Sequence, residues 1–344
     1  MLVRRSVEVD SVSRRSSIKA LVIGASGHLG NAIVRDFLAR NYLITACGRR
    51  GALPANLSEL PVRYLSGDAG TSGQLDEWIA GHDLVVDAAA PYPLSAFSPV
   101  SESGNDPIAH AERRTRLLLD AVCRHKARLV YVGSFVTLVK PRTSAQRFEH
   151  AMMRLAHPYF EVKELIESKV IEASRYGLPV VIANPTYCLG PWDLHDRQLC
   201  TIPLLLRGEI PSSITQRLNV IDVRDVAAAI GAALDAEYYG TPIQMSGHDI
   251  STEDLYSLIC ELGRVPRPRI STAATLAVAG AYAMELMLGA VGEKTPLPSG
   301  GMMMASLFDY MDAGRKMSEL GITPRPLSET IVDAIKWYRQ IGYC

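Results

Sequence analysis

IKALVIGASGHLGNA, residues 18–32, reads in turn as strand, turn and helix. Ala20, Leu21, Val22 and Ile23 form a short apolar run with β-branched members that a glycine ends, the pattern of a buried parallel strand. Gly24, Gly27 and Gly30 follow at three-residue spacing. Ile33, Val34, Phe37 and Leu38 then recur with the period of one helix face. In that setting each glycine has a task. Gly24 makes the tight turn, Gly27 lets backbone N–H groups approach a pyrophosphate, and Gly30 lets the helix pack closely on its strand. The phosphates would lie at the positive end of the helix dipole. Ser26, His28 and Leu29 complete the loop and count with the glycines as cofactor-binding positions, the His28 side chain itself reading as a spacer. The spacing is GxxGxxG rather than GxGxxG, so the strand-to-helix context is what makes it a dinucleotide fingerprint.

Downstream the same alternation continues. Tyr42–Cys47 is a second strand, ending in Gly48-Arg49-Arg50. In a doubly wound sheet this point lies beside the adenosine ribose, where an acidic residue would bind the 2′-hydroxyl and arginine favours a 2′-phosphate. With arginines and no acid here, Arg49 predicts NADP in preference to NAD. A third strand, Val62–Leu65, leads to Asp68, another expected cofactor position. The fourth, Asp83–Ala90, runs into small residues, and Ala88 and Ala89 would let a cofactor lie against the backbone. Pro91, Pro93 and Pro99 predict a loop at the mouth of the crevice. A helix over Ile108–Lys126 is expected to bury Leu117, Leu118, Ala121 and Val122 and to turn Arg113, Arg114 and Arg116 to solvent. Leu129–Val132 is the fifth strand, followed by Gly133-Ser134-Phe135. A helix over Tyr159–Tyr176 and a sixth strand, Pro179–Ala183, closing with Asn184-Pro185-Thr186, complete the pattern. This is an α/β chain with a doubly wound parallel sheet, its ligand edge at the strands' carboxyl ends. Beyond Trp192 the elements shorten between prolines, with a strand at Asn219–Val223, helices at Arg224–Ala236 and Ser328–Ile341, and Ser251 as a helix N-cap. The expected organisation is a flexible tail at 1–17, a dinucleotide domain at 18–190 plus about 217–241, and a smaller substrate-binding lobe at 191–216 and 242–344.

Composition bounds the partners. The 344 residues carry a formal net charge of zero, 48% hydrophobic and 21% charged residues, so no global field draws the chain to nucleic acid. Six cysteines without CxxC pairs read as reduced thiols in a cytoplasmic protein rather than a metal site or disulfide framework. His195 with Asp193 and Asp196 reads as a solvated loop, and no metal is expected. The run Ala273–Val291 approaches the about 18–20 apolar residues of a membrane span, yet Glu285, Gly280 and Gly289 interrupt it. It reads as a helix packed on the soluble body in preference to one at a membrane surface or across it.

Tyr159-Phe160-Glu161-Val162-Lys163 sets a tyrosine and a lysine one helical turn apart, at the amino end of the helix between the fifth and sixth strands. Gly24/Gly27/Gly30, Asp68, Ser134, Tyr159-xxx-Lys163 and Asn184-Pro185-Thr186 fall in the order seen in the extended short-chain dehydrogenases/reductases, the NAD-dependent epimerase/dehydratase superfamily. The chain most resembles the dihydroflavonol-4-reductase-like and hopanoid-associated sugar-epimerase-like branch. Cys188-Leu189-Gly190-Pro191, the Asn219–Ala227 segment and the ending Ala334–Tyr343 extend the resemblance over nearly all of residues 18–344.

The resemblance implies a Rossmann-type fold, a nicotinamide cofactor and a small-molecule carbonyl or hydroxyl substrate. Tyr159 would be the general acid or base. A free phenol titrates near pH 10, and the Lys163 charge would favour its phenolate; the family's lysine also holds the nicotinamide ribose. Ser134 would hydrogen-bond the substrate oxygen, and Pro185 and Thr186 would flank the nicotinamide. Two departures stand out. Gly133 replaces a hydroxyl residue often found before the serine, and Ala111–Thr115 lacks the asparagine and glycine of the usual Asn-x-x-Gly-Thr. Apolar Phe135 and Val136 suit a hydrophobic substrate better than a nucleotide sugar. The reading is an NADP(H)-dependent oxidoreductase using Ser134, Tyr159 and Lys163. An NAD-dependent nucleotide-sugar epimerase or dehydratase is the alternative, and a non-catalytic NADP sensor a third, disfavoured because tyrosine and lysine are both present. A homodimer is left open.

Overall fold

A computed structural model describes residues 17–89, 106–144, 147–148, 150–151, 154, 158–194, 200–210, 212–290 and 316–344. The arginines of the N-terminal tail, the Pro91–Pro99 loop, and His195 with Asp196 lie outside them.

The quoted stretch forms β1 (Lys19–Ile23) and α1 (His28–Ala39). Then follow β2 (Leu43–Gly48), β3 (Arg63–Ser66), α2 (Ser72–Ile79), β4 (Leu84–Asp87), α3 (Pro107–His125), β5 (Arg128–Val132), α4 (Pro158–Arg175) and β6 (Val180–Pro185). Beyond these lie β7 (Tyr187–Leu189), α5 (Thr201–Leu206), β8 (Ser212–Thr215), β9 (Arg217–Asp222), α6 (Val223–Asp235) and β10 (Pro242–Met245). The chain closes with β11 (His248–Ser251), α7 (Thr252–Gly263), β12 (Ile270–Ala273), α8 (Ala274–Ala290) and α9 (Leu327–Gln340).

The main sheet has seven parallel strands in the order β10-β6-β5-β4-β1-β2-β3. The order reverses between β1 and β4, and at such a switch point the loops diverge to leave a crevice. The central strands are near-continuous apolar runs because helices cover both faces. One face packs Ala20, Val22, Val86 and Val130 against Ile33, Phe37, Val226 and Ile230 of α1 and α6. The other packs Leu21, Val85, Leu129 and Ile182 against Leu75, Leu118, Val122, Val162 and Ile166 of α2, α3 and α4.

Pro242–Met245, assigned from sequence to the second lobe, is the seventh strand of the main sheet: it extends β6 in parallel register. Conversely, β9 joins β7 and β11 in a small second sheet. A third apolar cluster around Leu205, Leu255, Ile259, Ile331 and Tyr338 fills this second body. The Asn219–Ala227 motif ties the two sheets together. Asn219 Oδ1 accepts from Thr186 Oγ1 at 2.8 Å, Asp222 caps α6 through Arg224 N–H at 2.7 Å, and Asp225 receives Arg325 at 2.8 Å. Ser251 caps α7, accepting from Asp254 N–H at 3.0 Å. Helix α8 leaves Leu276, Leu286 and Met287 exposed. Among the described residues no helix is long and apolar enough to cross a membrane.

Candidate active site

Ser134 follows β5 directly, at the start of a 3-10 turn (Phe135–Leu138). Tyr159 is the second residue of α4, and Lys163 lies one turn on. The three side chains meet: Tyr159 Oη donates to Ser134 Oγ at 2.9 Å, and Lys163 Nζ lies 5.9 Å from the centre of the Tyr159 ring. They are 7%, 2% and 3% exposed in chain order, so water is largely excluded around them.

The glycine loop lies on the same sheet edge. Gly24 has φ +82°, and a Cβ there would sit 2.8 Å from the Ala88 carbonyl oxygen and 2.9 Å from Ala89 Cβ. A Cβ at Gly30 would be 2.1 Å from the Gly24 carbonyl oxygen. Both positions admit no side chain, which brings the amino end of α1 against the β1 and β4 termini, the cradle a pyrophosphate needs. A family model described as the NAD dependent epimerase/dehydratase family matches residues 20–243, from β1 into β10.

The chain belongs to that family.

A candidate dihydroflavonol 4-reductase from Synechocystis is 28% identical over 94% of this chain and 95% of its own length. A sterol demethylase protein B from Methylococcus capsulatus is 26% identical over 94% and 98%. Among solved structures, a nucleoside-diphosphate-sugar epimerase from Pseudomonas aeruginosa superposes with TM-score 0.69 at 23% identity, covering 95% of this chain and 99% of that one. WbmH from Bordetella bronchiseptica, solved with NAD+, gives 0.67 at 19%, covering 94% and 99%. The epimerase/dehydratase family comprises NAD(P)-dependent enzymes acting on small molecules, and the glycine cradle fits such a cofactor.

The remaining expected cofactor positions are spread along the edge. Arg49 is exposed at the end of β2 and makes no hydrogen bond or ion pair among the described residues. Asp68 is exposed after β3, its carboxylate accepting from Gly70 N–H at 2.9 Å. Pro185 and Thr186 are buried, and the Thr186 hydroxyl is turned toward Asn219. His28 is more than a spacer: its Nδ1 lies 3.9 Å from Asp193 Oδ2, linking the glycine loop to the segment after Pro191. Asn56, missed in the sequence, makes a parallel link by donating to the carbonyl oxygens of Ser26 at 3.0 Å and Trp192 at 3.2 Å. The Arg35 guanidinium stacks 4.4 Å from the centre of the same Trp192 ring. Phe135 and Val136 are buried in the 3-10 turn, so neither offers an exposed apolar wall.

Beneath the three converging residues lies a buried polar layer that the sequence did not disclose. Glu167, one turn beyond Lys163, accepts from Asn184 Nδ2 at 2.6 Å and from Thr137 Oγ1 at 2.9 Å. Burial raises its pKa, against the pull of those two bonds. A Cβ at Gly133 would stand 2.1 Å from Asn184 Oδ1. The missing hydroxyl residue is therefore explained: the asparagine side chain occupies its place.

Arg114 corrects an expectation. It is 4% exposed, not solvent-facing, and its guanidinium grips the Asp87 carboxylate with two hydrogen bonds of 2.7 Å. Arg113 and Arg116 do face outward. Arg114 lies one turn before Leu118 and one after Ala111, both buried, so the helical period itself put it on the inner face. Burial alone would raise Asp87, but Arg114 holds its carboxyl below the ordinary value. Burial lowers Lys163 from 10.5 to about 8; Asp87 pulls it back up, Arg114 pushes it further down, and Glu167 adds a smaller upward pull.

Proposed function

We propose that the protein is an NADP(H)-dependent oxidoreductase of the extended short-chain type, reducing a ketone or aldehyde or oxidising the corresponding alcohol. The observation that carries this reading is the convergence of Tyr159, Ser134 and Lys163 on the sheet edge that also bears the glycine cradle. The nicotinamide supplies or accepts the hydride. Tyr159 Oη gives its proton to the carbonyl oxygen in reduction and takes one from the hydroxyl in oxidation. Ser134 Oγ, freed from Tyr159, donates to that oxygen and stabilises its developing charge. The Lys163 ammonium favours the phenolate. Gly24, Ser26, Gly27, His28, Leu29 and Gly30 cradle the pyrophosphate. Asp68, Ala88 and Ala89 line the cofactor's path, and Lys163, Pro185 and Thr186 flank the nicotinamide end. Arg49 reads the 2′-phosphate, supported by its exposure and by the contact of β2 with the glycine loop, where a Cβ at Gly48 would lie 3.7 Å from Ser26 Oγ.

The family model and the epimerase neighbours support a nucleotide-sugar epimerase or dehydratase as a second reading. Against it, two arginines that could meet a diphosphate are already engaged. Arg207 binds Glu209 at 2.6 Å, and Arg224 binds Asp222 at 2.7 Å and Asp333 at 2.6 Å. The names of the two curated relatives, a dihydroflavonol reductase and a sterol demethylase protein, favour a bulky, largely apolar substrate over a sugar diphosphate. The test is turnover of a dihydroflavonol, a 3-ketosteroid and UDP-glucose, with NADPH binding followed by its fluorescence. Oxidation of NADPH by one of the carbonyl compounds is expected. Tyr159→Phe should lose about 10²–10⁴-fold in kcat/KM while binding NADPH as before. Epimerisation of UDP-glucose without net NADPH oxidation would reverse the choice.

A further inference from the structure

We infer that Asn56 and Trp192 are positioning residues of the cofactor loop: together they strap the Ser26–Gly27 peptide to the second body and so set how long a dinucleotide stays bound. The effect on the dinucleotide rests on the pyrophosphate placement proposed above; the strap itself is tested without any nucleotide.

Asn56 lies between β2 and β3 and is 6% exposed. Its side-chain amide donates in two directions, to the Ser26 carbonyl oxygen at 3.0 Å and to the Trp192 carbonyl oxygen at 3.2 Å. Its own carbonyl oxygen accepts from Asn31 Nδ2 at 3.0 Å and from Arg35 Nη2 at 3.2 Å, both on α1. One residue thus touches the glycine loop, the first helix and the segment after Pro191. The Ser26–Gly27 peptide is held at both ends. Asn56 engages its oxygen, and its N–H, on Gly27, donates to the Gly24 carbonyl oxygen at 2.9 Å. The first bond of α1, from Asn31 N–H to the Gly27 carbonyl oxygen at 2.9 Å, starts from the next peptide. The His28 and Leu29 amides precede that bond, and a phosphate at a helix start meets such groups. Fixing the peptide before them fixes their direction.

Trp192 anchors the other side. Its segment continues β7, which pairs with β9 in the second sheet. Gly190 is pressed on the start of α6, where a Cβ would stand 2.9 Å from Val223 Cγ1. Trp192 itself has φ +75°, a region that bulky residues adopt only where the surroundings hold them there. The holds are the Asn56 bond to its carbonyl and the Arg35 guanidinium 4.4 Å from its ring centre, with Arg35 braced by Asn31 Oδ1 at 2.8 Å. Backbone strain kept beside a binding loop, where a glycine would relieve it, points to a conformation with a use. A loop organised in advance loses less freedom on binding, and such differences appear mainly in the release rate.

Release of NADPH and of NADH from the full chain is followed by stopped-flow fluorescence, on displacement by the oxidised nucleotide. Asn56→Ala and Trp192→Gly should each speed release by about tenfold or more, with association changed much less. Both nucleotides should respond alike, since the pyrophosphate is common to them. Glycine adopts φ +75° without strain, so Trp192→Gly folds even if Asn56→Ala does not. The two residues act through one contact, so the double variant should release no faster than the faster single variant. Arg40→Ala is the stability control: it removes ion pairs to Asp36 and Asp235 at the far end of α1, and should melt lower with release unchanged. Amide exchange of the peptide 24–31, read by mass spectrometry without nucleotide, should quicken in both strap variants and not in the control. Unchanged release, effects that multiply in the double variant, or a control that releases as fast as the strap variants would overturn the inference. A parent that binds neither nucleotide would refute the proposed function. Amide exchange then decides on the strap alone: quicker exchange supports it and unchanged exchange refutes it.

Discussion

Replacing Lys163 by methionine should make the protein more stable at neutral pH. The amine is 3% exposed and its affinity for a proton falls from 10.5 to about 8, chiefly through burial. Each decade of proton affinity is worth about 1.4 kcal/mol, so the charged form burdens the fold by about 3 kcal/mol. The sign follows from proton counts. Below pH 8 the lysine is charged in both states and the burden is present in full. Between 8 and 10.5 the unfolded chain holds a proton that the native state has released, so native stability rises with pH. Above 10.5 both forms are neutral and the burden is gone. Methionine fills a similar volume with no charge. Lys163→Met should therefore unfold at higher urea than the parent at pH 7, by up to about 3 kcal/mol, with the difference closing between pH 8 and 10.5. Urea titrations by circular dichroism at half-unit pH intervals give this difference. The raised thiols of Cys47 and Cys188 titrate in both proteins, so they cancel in the comparison. A variant less stable than the parent at pH 7, or a difference that does not vary with pH, would refute the electrostatic account of Lys163. Confirmation would show that the buried charge of this lysine costs the fold stability.

Three further outcomes follow from the same geometry. Arg49→Asp should weaken NADPH binding at least tenfold more than NADH binding in parallel fluorescence titrations; equal losses would mean that Arg49 does not read the 2′-phosphate. Gly30→Ala places a Cβ 2.1 Å from the Gly24 carbonyl oxygen, a backbone atom that cannot step aside, and should cost about 1–3 kcal/mol together with most cofactor affinity, checked by thermal melts with and without NADPH. Gly133→Ala drives into Asn184 Oδ1, the end of a side chain, so the protein should fold but lose the Asn184–Glu167 hydrogen bond. Unchanged stability and an unchanged pH profile of turnover in that variant would show that the buried layer does not communicate with Lys163.

The sheet and the three converging residues were legible because their signals are local. The run Ala20–Ile23, the glycine triplet and the i, i+4 spacing of Tyr159 and Lys163 each lie within one strand, one turn or one helix. Topology then did the rest: parallel strands with helical crossovers bring every strand's carboxyl end to one edge, so Ser134 had to lie near the start of α4. Pro242–Met245 was misplaced because it follows a helix and opens on a proline, like the short proline-punctuated elements around it, and only its pairing with β6 reveals its sheet.

The polar layer was illegible for a different reason. A charged side chain on a helix is exposed far more often than not, and Arg114 is an exception only because Asp87, far off in sequence at the end of another strand, meets it. Asp87 in turn resembles any acid at a strand end. Each residue is improbable at its site without the other, so single-residue propensities reject both while the pair is compatible with the fold. The two departures from the family pattern have the same origin. Gly133 gives its space to Asn184, and the position of the usual glycine in α3 gives its space to the Arg114 side chain. Both changes bring larger polar groups under the tyrosine–lysine pair, where a neighbouring charge acts on protons with little screening. A helix that keeps its apolar period but carries one charged residue in phase with it, as Arg114 is with Ala111 and Leu118, therefore marks a place to look for a buried partner.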